Sequence, residues 1–366
     1  MYTQQQTVFV LSMLSNLAIT QKGTVDELER YLAGRIDVHL AASQSNIGAW
    51  TRAWGPAVFQ APLSSVADNV MYVACNTASP PQYVVAIAGT NYNSAFDILI
   101  EDFWVGTQVD WSTGTPPPGS DPKIAAGTFT GFSILRSLRP GPAMPGANQF
   151  LYDFLKSAAS HAIDIVAAGH SLGGALAPAL ALWLHDTRAD WDPQTNATIS
   201  CEPSAGPTSG NGDFAQYYDE TLGSSTTRLY NSLDIVPHAW NYSDLSALPP
   251  LYQPAISPDL VIDGLVAAAQ AASKDGDYTQ IDNGTPALTG TINTSIIDPR
   301  NWAFENYMAQ AGYQHIDEYF TLLDVTISAE AMTAVRIGMG APAAAVAASR
   351  IRAQLVRRGA ISATTQ

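Results

Sequence analysis

The twelve residues VAAGHSLGGALA (166–177) constrain the fold of this chain more than any other stretch. Just upstream, IDIVAA is a short, continuously apolar run of the length of a buried strand, and downstream LGGALAPALALWL is long enough for a helix. Ser171 therefore falls where a strand passes directly into a helix, crowded by Gly169, Gly173 and Gly174. A residue at such a corner sits in a sharp, strained turn, and glycines two places to either side let the two elements close on each other. That geometry lifts a hydroxyl out of the backbone, as a nucleophile needs. Gly-x-Ser-x-Gly also arises by chance, so the pattern needs partners elsewhere in the chain.

The flanking text predicts an alternation of strands and helices. TVDELERYLAGRIDVHL opens with Thr24 and has Glu27 three places on, a capping-box start, and with residues 4–18 it predicts a mainly helical first 50 residues. NVMYVACNT and PPQYVVAIAGT read as strands joined by a turn at Pro80 and Pro81, FTGFSILRSL and NQFLYDFLKSAASHA as helices, and IDIVAAGHS as the central strand. ATISCEPSAGP and TTRLYNSLDIVP read as two more strands, with the helix GDFAQYYDETL between them. Such an order implies a largely parallel sheet covered on both faces, with active residues at the carboxyl ends of strands. Thr90, Ser171 and Asp234 all fall at such ends. Residues 239–300 loosen into Pro-, Asn- and Thr-rich text around one helix, DLVIDGLVAAAQAASKDG, expected to start with Ser257 as cap and Pro258 at its first position. Pro178 is expected to bend the helix behind Ser171. With no internal repeat and no hinge, residues 1–366 read as one domain: a core at about 65–325, an N-terminal helical extension (1–64) and a C-terminal helical extension (326–366).

Charge and cysteine content narrow the function. A formal charge of −15 makes nucleic acid an unlikely partner for the chain. The basic stretch of the C-terminal 40 residues (Arg336, Arg350, Arg352, Arg357, Arg358) reads as a solvated helix face ahead of a docking surface. Cys75 and Cys201 are too few for a disulfide framework and read as free buried thiols, which fix no compartment. MYTQQQTVFVLSMLSNLAIT lacks a positive n-region and a small-residue cleavage site, and no apolar run reaches a membrane span, so a soluble chain is expected, cytoplasmic or secreted.

A serine hydroxyl needs a base to take its proton and an acid to orient that base. Of six histidines, His170 adjoins Ser171 across a tight elbow and points elsewhere; His39, His161 and His185 lie in helical text. His238 and His315 remain. The order Ser…Asp/Glu…His goes with strand–helix nucleophile elbows. Asp234, in DIVPHAW, then serves as the acid, or merely turns the chain. His315, in AGYQHIDEYF, is favoured as base over His238, which follows Asp234 by only four residues. For the oxyanion, Leu172 offers its N–H from the helix start, and Thr90, after Gly89 in VVAIAGTNYNS, offers its N–H and hydroxyl. No metal-ligand cluster and no phosphate-cradling loop competes, so neither metal nor cofactor is expected. Residues 93–106, NSAFDILIEDFWVG, read equally as a lid opening at a lipid–water interface or as a fixed helix on the core.

These residues together resemble the class 3 lipase family, the fungal-type triacylglycerol lipases and their relatives. AGHSLGGALA is similar to that family's nucleophile segment, AGTNYNSAFDILIEDF to its oxyanion strand and lid, SAGPTSGNGDFAQYY to the run that follows the nucleophile helix, RLYNSLDIVPHAW to its acid segment and YQHIDEY to its base segment. The resemblance spans roughly residues 65–325 and implies an α/β-hydrolase three-layer sandwich with a mostly parallel central sheet. It implies Ser171 as nucleophile, Asp234 as acid, His315 as base, and Thr90 and Leu172 as oxyanion donors. It also implies an ester or lipid substrate: acylglycerols first, with phospholipids, feruloyl-type esters or polyesters as alternatives. A non-catalytic binding protein of the same fold is the reading from a different class. Ala88, where the family often has arginine, Thr130, where histidine is common, and Pro178 are departures; none removes a catalytic group.

Overall fold

Side chains of a strand point alternately to opposite faces, and here both faces are apolar, which calls for a helical layer on each. The computed structural model describes residues 1–89, 105–282 and 284–339. In chain order it has helices α1 (Gln4–Leu14) and α2 (Val25–Ala42), then strands β1 (Trp50–Phe59), β2 (Asn69–Asn76), β3 (Gln82–Ile87), β4 (Gln108–Asp110) and β5 (Lys123–Ala125). Helices α3 (Ala126–Ser137) and α4 (Leu151–Ala158) lead to β6 (Ile163–His170), α5 (Leu172–Asp186), β7 (Ala197–Ser204), β8 (Gly210–Asn211) and α6 (Gly212–Leu222). Helix α7 (Leu260–Ser273), β9 (Tyr278–Thr279), α8 (Ala303–His315), α9 (Asp317–Leu322) and α10 (Ala329–Met339) follow.

The main sheet has the order β1-β2-β3-β6-β7; β3, β6 and β7 are parallel, while β1–β2 and β2–β3 are antiparallel. A second small sheet runs β4-β5-β8-β9. Val70, Tyr72, Ala74, Val84, Ala86, Val166 and Ala168 face a cluster formed with α1, α2, α7, α8, α9 and α10. Their alternates Met71, Val73, Val85, Ile87, Ile165 and Ala167 face α3, α4, α5 and α6. The result is a three-layer α/β sandwich, as the sequence predicts, with its parallel half beside Ser171.

The first 64 residues are not a purely helical extension. Trp50–Phe59 is an edge strand of the main sheet, its pairing with β2 shifted at Arg52/Trp54 and again at Trp54/Ala57. Inside it Gly55 sits at φ 77°, in an irregular stretch where a Cβ would crowd the β2 backbone. Helix α2 starts with the expected box, Thr24 Oγ1 accepting Glu27 N–H and Glu27 accepting Thr24 N–H. It lays Leu28, Leu32, Ile36 and Leu40, four apart, into the core.

Two other expectations are corrected. TTRLYNSLDIVP is not a strand: Thr226 and Leu229 form only isolated parallel bridges to β7, through Thr227 N–H to Cys201 O and Leu229 N–H to Pro203 O, both 2.9 Å. Helix α7 is capped by Asp259, whose side chain accepts Val261 N–H at 2.8 Å, rather than by Ser257 with Pro258. A carboxylate is at least as good a cap as a hydroxyl and sits two residues closer to the apolar run. Helix α5 runs through Pro178 without interruption; the nearby Ala175 carbonyl is also met by the Ser209 hydroxyl at 2.9 Å. Cys75 is half-buried on β2 and Cys201 buried on β7, and both are free. No helix among the described residues is long and apolar enough to cross a membrane.

Candidate active site

Ser171 stands between β6 and α5 at φ 61°, ψ −125°, a conformation that side chains adopt only when the surroundings force it. Its own N–H is held by Ser204 O at 3.1 Å, which carries the β6–β7 pairing one residue into the turn. The glycines are needed for close backbone approach. A Cβ on Gly169 would fall within 3.0 Å of the Gly173 backbone, one on Gly173 within that distance of Ile87 O, and one on Gly174 within it of Ser204 O. Strand, helix and the neighbouring strand ends β3 and β7 thus meet at a corner where no methyl group fits.

Asp234 and His315 are 81 residues apart in sequence and meet in space: His315 Nδ1–H donates to Asp234 Oδ2 at 2.8 Å, with both side chains buried. This bond fixes the tautomer and makes Nε2 the basic nitrogen. His315 is the last residue of α8, rather than part of a loop entering a helix. The other donors on Asp234 are Val236 N–H (3.0 Å, to Oδ1) and the Tyr319 hydroxyl (3.0 Å, to Oδ2). Tyr319 in turn accepts Asn231 N–H at 2.9 Å. Burial, and then the Asp234 charge, push its phenol well above the usual tyrosine value, so it stays a donor. His238, in the 3₁₀ turn Val236–His238, is not among the donors to Asp234, and burial lowers its pKa.

His170 is the link between this pair and the elbow. Its Nε2–H donates to the backbone carbonyl of His315 at 2.8 Å, and Nδ1 lies 3.0 Å from the Ser204 hydroxyl, which donates to it. Its ring centroid is 4.9 Å from that of His315 and meets Tyr319 edge-on at 5.1 Å. Burial, then the neighbouring His315, drive its pKa well below the ordinary histidine value, so it is neutral. The sequence reading set His170 aside as a base; its positioning contact and the contribution of Tyr319 were missed. The position of Tyr319, four residues after His315 in YQHIDEY, was the available signal.

Leu172 is the first residue of α5, where a helix N–H lacks an intrahelical acceptor. Thr90 and residues 93–104 of the candidate lid lie outside the described residues. Gly89, just before Thr90, is held by its N–H to Asn16 Oδ1 at 2.8 Å. Among the described residues no group of three His, Cys, Asp or Glu side chains is arranged to hold a metal.

The long segment between acid and base builds a pocket. A pocket of about 60 Å³ is lined by Ile235, next to Asp234, by Leu245 and Leu248, by Ile262, Leu265, Val266 and Ala269 of α7, and by Phe304, Tyr307 and Met308 of α8. The Tyr307 hydroxyl is spent on Leu248 O at 2.8 Å, so the lining offers carbon.

Comparison with known proteins follows the same lines. A family model described as lipase (class 3) matches residues 84–243. Among solved structures the chain is similar to M37 lipase, at 36% identity and a TM-score of 0.80, covering 88% of this chain and 93% of that one. It is also similar to lipase II from Rhizopus niveus, at 22% identity and a TM-score of 0.43 over 66% of this chain and 78% of that one. A triacylglycerol lipase whose catalytic centre is described as a serine protease triad matches at 20% identity and a TM-score of 0.42, over 64% and 75% of the two chains. No curated protein matches the sequence.

Proposed function

Because this chain belongs to the class 3 lipase family and is a serine ester hydrolase, we propose that Ser171 is its nucleophile, His315 its base and Asp234 the acid that orients the base. The observation that carries this reading is the buried 2.8 Å bond between His315 Nδ1 and Asp234, on a histidine whose carbonyl is tied to the residue beside Ser171. His315 Nε2 takes the Ser171 proton as Oγ attacks the ester carbonyl carbon. The tetrahedral oxyanion is met by Leu172 N–H and by the N–H and hydroxyl of Thr90. Its collapse breaks the bond to the leaving alcohol, which receives the proton from His315. Water, deprotonated by the same nitrogen, then attacks the acyl-enzyme, and the acid leaves as Ser171 recovers its proton. Asp234 stays ionised throughout and holds the imidazolium. The chain acts as one catalytic domain over residues 1–366.

The substrate of this reading is an ester with an apolar acyl chain, an acylglycerol or a comparable ester, in solution or at a lipid–water interface. The carbon-lined pocket beside Ile235 supports it. The test is hydrolysis of p-nitrophenyl esters of increasing acyl length by wild type, Ser171→Ala, His315→Ala, His238→Ala and Met308→Trp. Loss of Ser171 is expected to lower turnover on the order of 10⁶-fold. Met308→Trp, which fills the pocket, is expected to lower rates on long esters and spare short ones. Turnover retained in Ser171→Ala, or lost in His238→Ala while His315→Ala keeps it, overturns the assignment; an unchanged length profile in Met308→Trp overturns the pocket.

A further inference from the structure

Helix α1 lies outside the segment matched by the family model, and the proposed chemistry assigns it nothing. Yet it is buried on every side: Thr7 to Leu14 are eight consecutive buried residues, packed across β3, β6 and β7. A surface helix needs only one apolar stripe, so burial all round marks an element inside the molecule. Its axis is tied to the sheet by the Tyr72 hydroxyl, which donates to Leu11 O at 2.7 Å.

Two of its contacts reach the catalytic residues. The ring of Phe9 meets His170 edge-on at 6.0 Å and stacks on Tyr319 at 6.3 Å, so it backs both residues that hold His315 and Asp234. Asn16, two residues past the helix end, is buried and turns its Oδ1 to Gly89 N–H at 2.8 Å. Its Nδ2 faces the terminal turn of α1, 3.4 Å from Met13 O and 3.5 Å from Ser12 O. A side-chain amide carries its acceptor and its donors on separate atoms, so one short group can accept from the Gly89 N–H and face the carbonyls of the helix end. Gly89, without a side chain of its own, has its direction set by whatever holds its N–H.

We infer that Asn16 is a positioning residue for catalysis: it fixes the N–H of Gly89, the residue that precedes the proposed oxyanion donor Thr90 in the chain, while Phe9 of the same helix backs His170 and Tyr319. This rests on the proposed roles of Thr90 and Ser171. A donor displaced by about 1 Å costs up to ~10²-fold in rate without a matching loss of substrate binding.

The experiment compares wild type, Ser171→Ala, Asn16→Leu and Asn16→Asp in the full chain, at a temperature where thermal melts show each folded. Asn16→Leu keeps the volume and deletes the acceptor; Asn16→Asp keeps an acceptor toward Gly89. Measured are kcat and KM for p-nitrophenyl butyrate and inhibition by a trifluoromethyl ketone, which forms a tetrahedral adduct with an active serine. The expected result for Asn16→Leu is a ten- to hundredfold loss in kcat, KM within about twofold, an equal weakening of the ketone, and recovery of most of the loss in Asn16→Asp. If Asn16→Leu does not fold, Asn16→Ser, whose hydroxyl falls short of Gly89, takes its place. A lowered melting temperature with wild-type kcat and ketone affinity makes Asn16 structural only and overturns the inference. If Ser171→Ala hydrolyses the ester like wild type, the site assignment itself fails; if it is inactive while Asn16→Leu keeps wild-type kcat, the positioning role alone fails.

Discussion

Gly174→Ala sets two opposing effects against each other at one atom. Gly174 is the third residue of α5, and in a helix alanine is favoured over glycine by about 1 kcal/mol. Here the added methyl carbon would fall within 3.0 Å of the Ser204 carbonyl oxygen and 3.0 Å from both the nitrogen and the Cα of Gly206. All three are backbone atoms, so no side chain can rotate away, and relief requires α5 to retreat from the end of β7. Overpacking of this kind costs about 1–3 kcal/mol. The oxygen being pushed is also the one that accepts Ser171 N–H at 3.1 Å, so roughly 1 kcal/mol more is lost if that bond opens. Set against the propensity gain, the net expectation is a loss of about 1–3 kcal/mol. The same retreat moves the Leu172 N–H and the Ser171 hydroxyl relative to His315, for which about ten- to a hundredfold in kcat is expected. Urea unfolding gives the first quantity, and initial rates on a short p-nitrophenyl ester, taken where the variant is fully folded, give the second. A variant as stable as wild type or more so, with undiminished kcat, would refute the argument that the glycine is there for close backbone approach.

Two further outcomes are expected. Tyr319→Phe removes a donor from Asp234 and the acceptor of Asn231 N–H, both buried, so a stability loss of about 2–4 kcal/mol is expected in urea unfolding, with kcat falling more than KM changes. Wild-type stability and kcat in that variant would mean that Asp234 is held without it. Burial lowers the pKa values of His170, His238 and His39 in the folded chain, joined by the adjacent His315 at His170 and by Arg35 at His39. Below about pH 6.5 the unfolded chain takes up protons that these folded rings refuse, so stability is full above that pH and declines as the pH falls. Urea midpoints between pH 7.5 and 5.5 should drop, and less steeply in His170→Asn; a flat wild-type profile would contradict the burial argument.

The candidate site was legible because its chemistry demands particular residue types in a fixed chain order. Ser171 was marked by glycines that the backbone approach explains, and His315 was separated from His238 by spacing alone, which the bond to Asp234 matches. What the sequence hid depends on long-range packing. Strand β1 carries Gly55-Pro56 and two register shifts in its middle, so its local text lacks the uninterrupted alternation that marks a strand. RLYNSL has the apolar content of a strand but finds β7 with only some of its residues, a matter of partner geometry. Helix α1 carries a clue in TVFVLSML, whose apolar residues are not confined to one stripe, as burial all round requires. The links of Asn16 to Gly89 and of His170 to His315 join positions 73 and 145 residues apart and leave no local trace.

The burial of α1 bears on how the chain is made. This helix is synthesised before the strands it covers, and eleven residues are too few to hold a stable helix alone in water. The strands it covers begin with β3, and Tyr319, which stacks on its Phe9, follows some three hundred residues later. At the usual pace of translation, Val8, Phe9, Leu11 and Leu14 wait roughly 15–60 s for that partner. Through that interval the nascent polypeptide carries a sticky apolar segment, which makes yield during expression or refolding sensitive to temperature, concentration and chaperone supply.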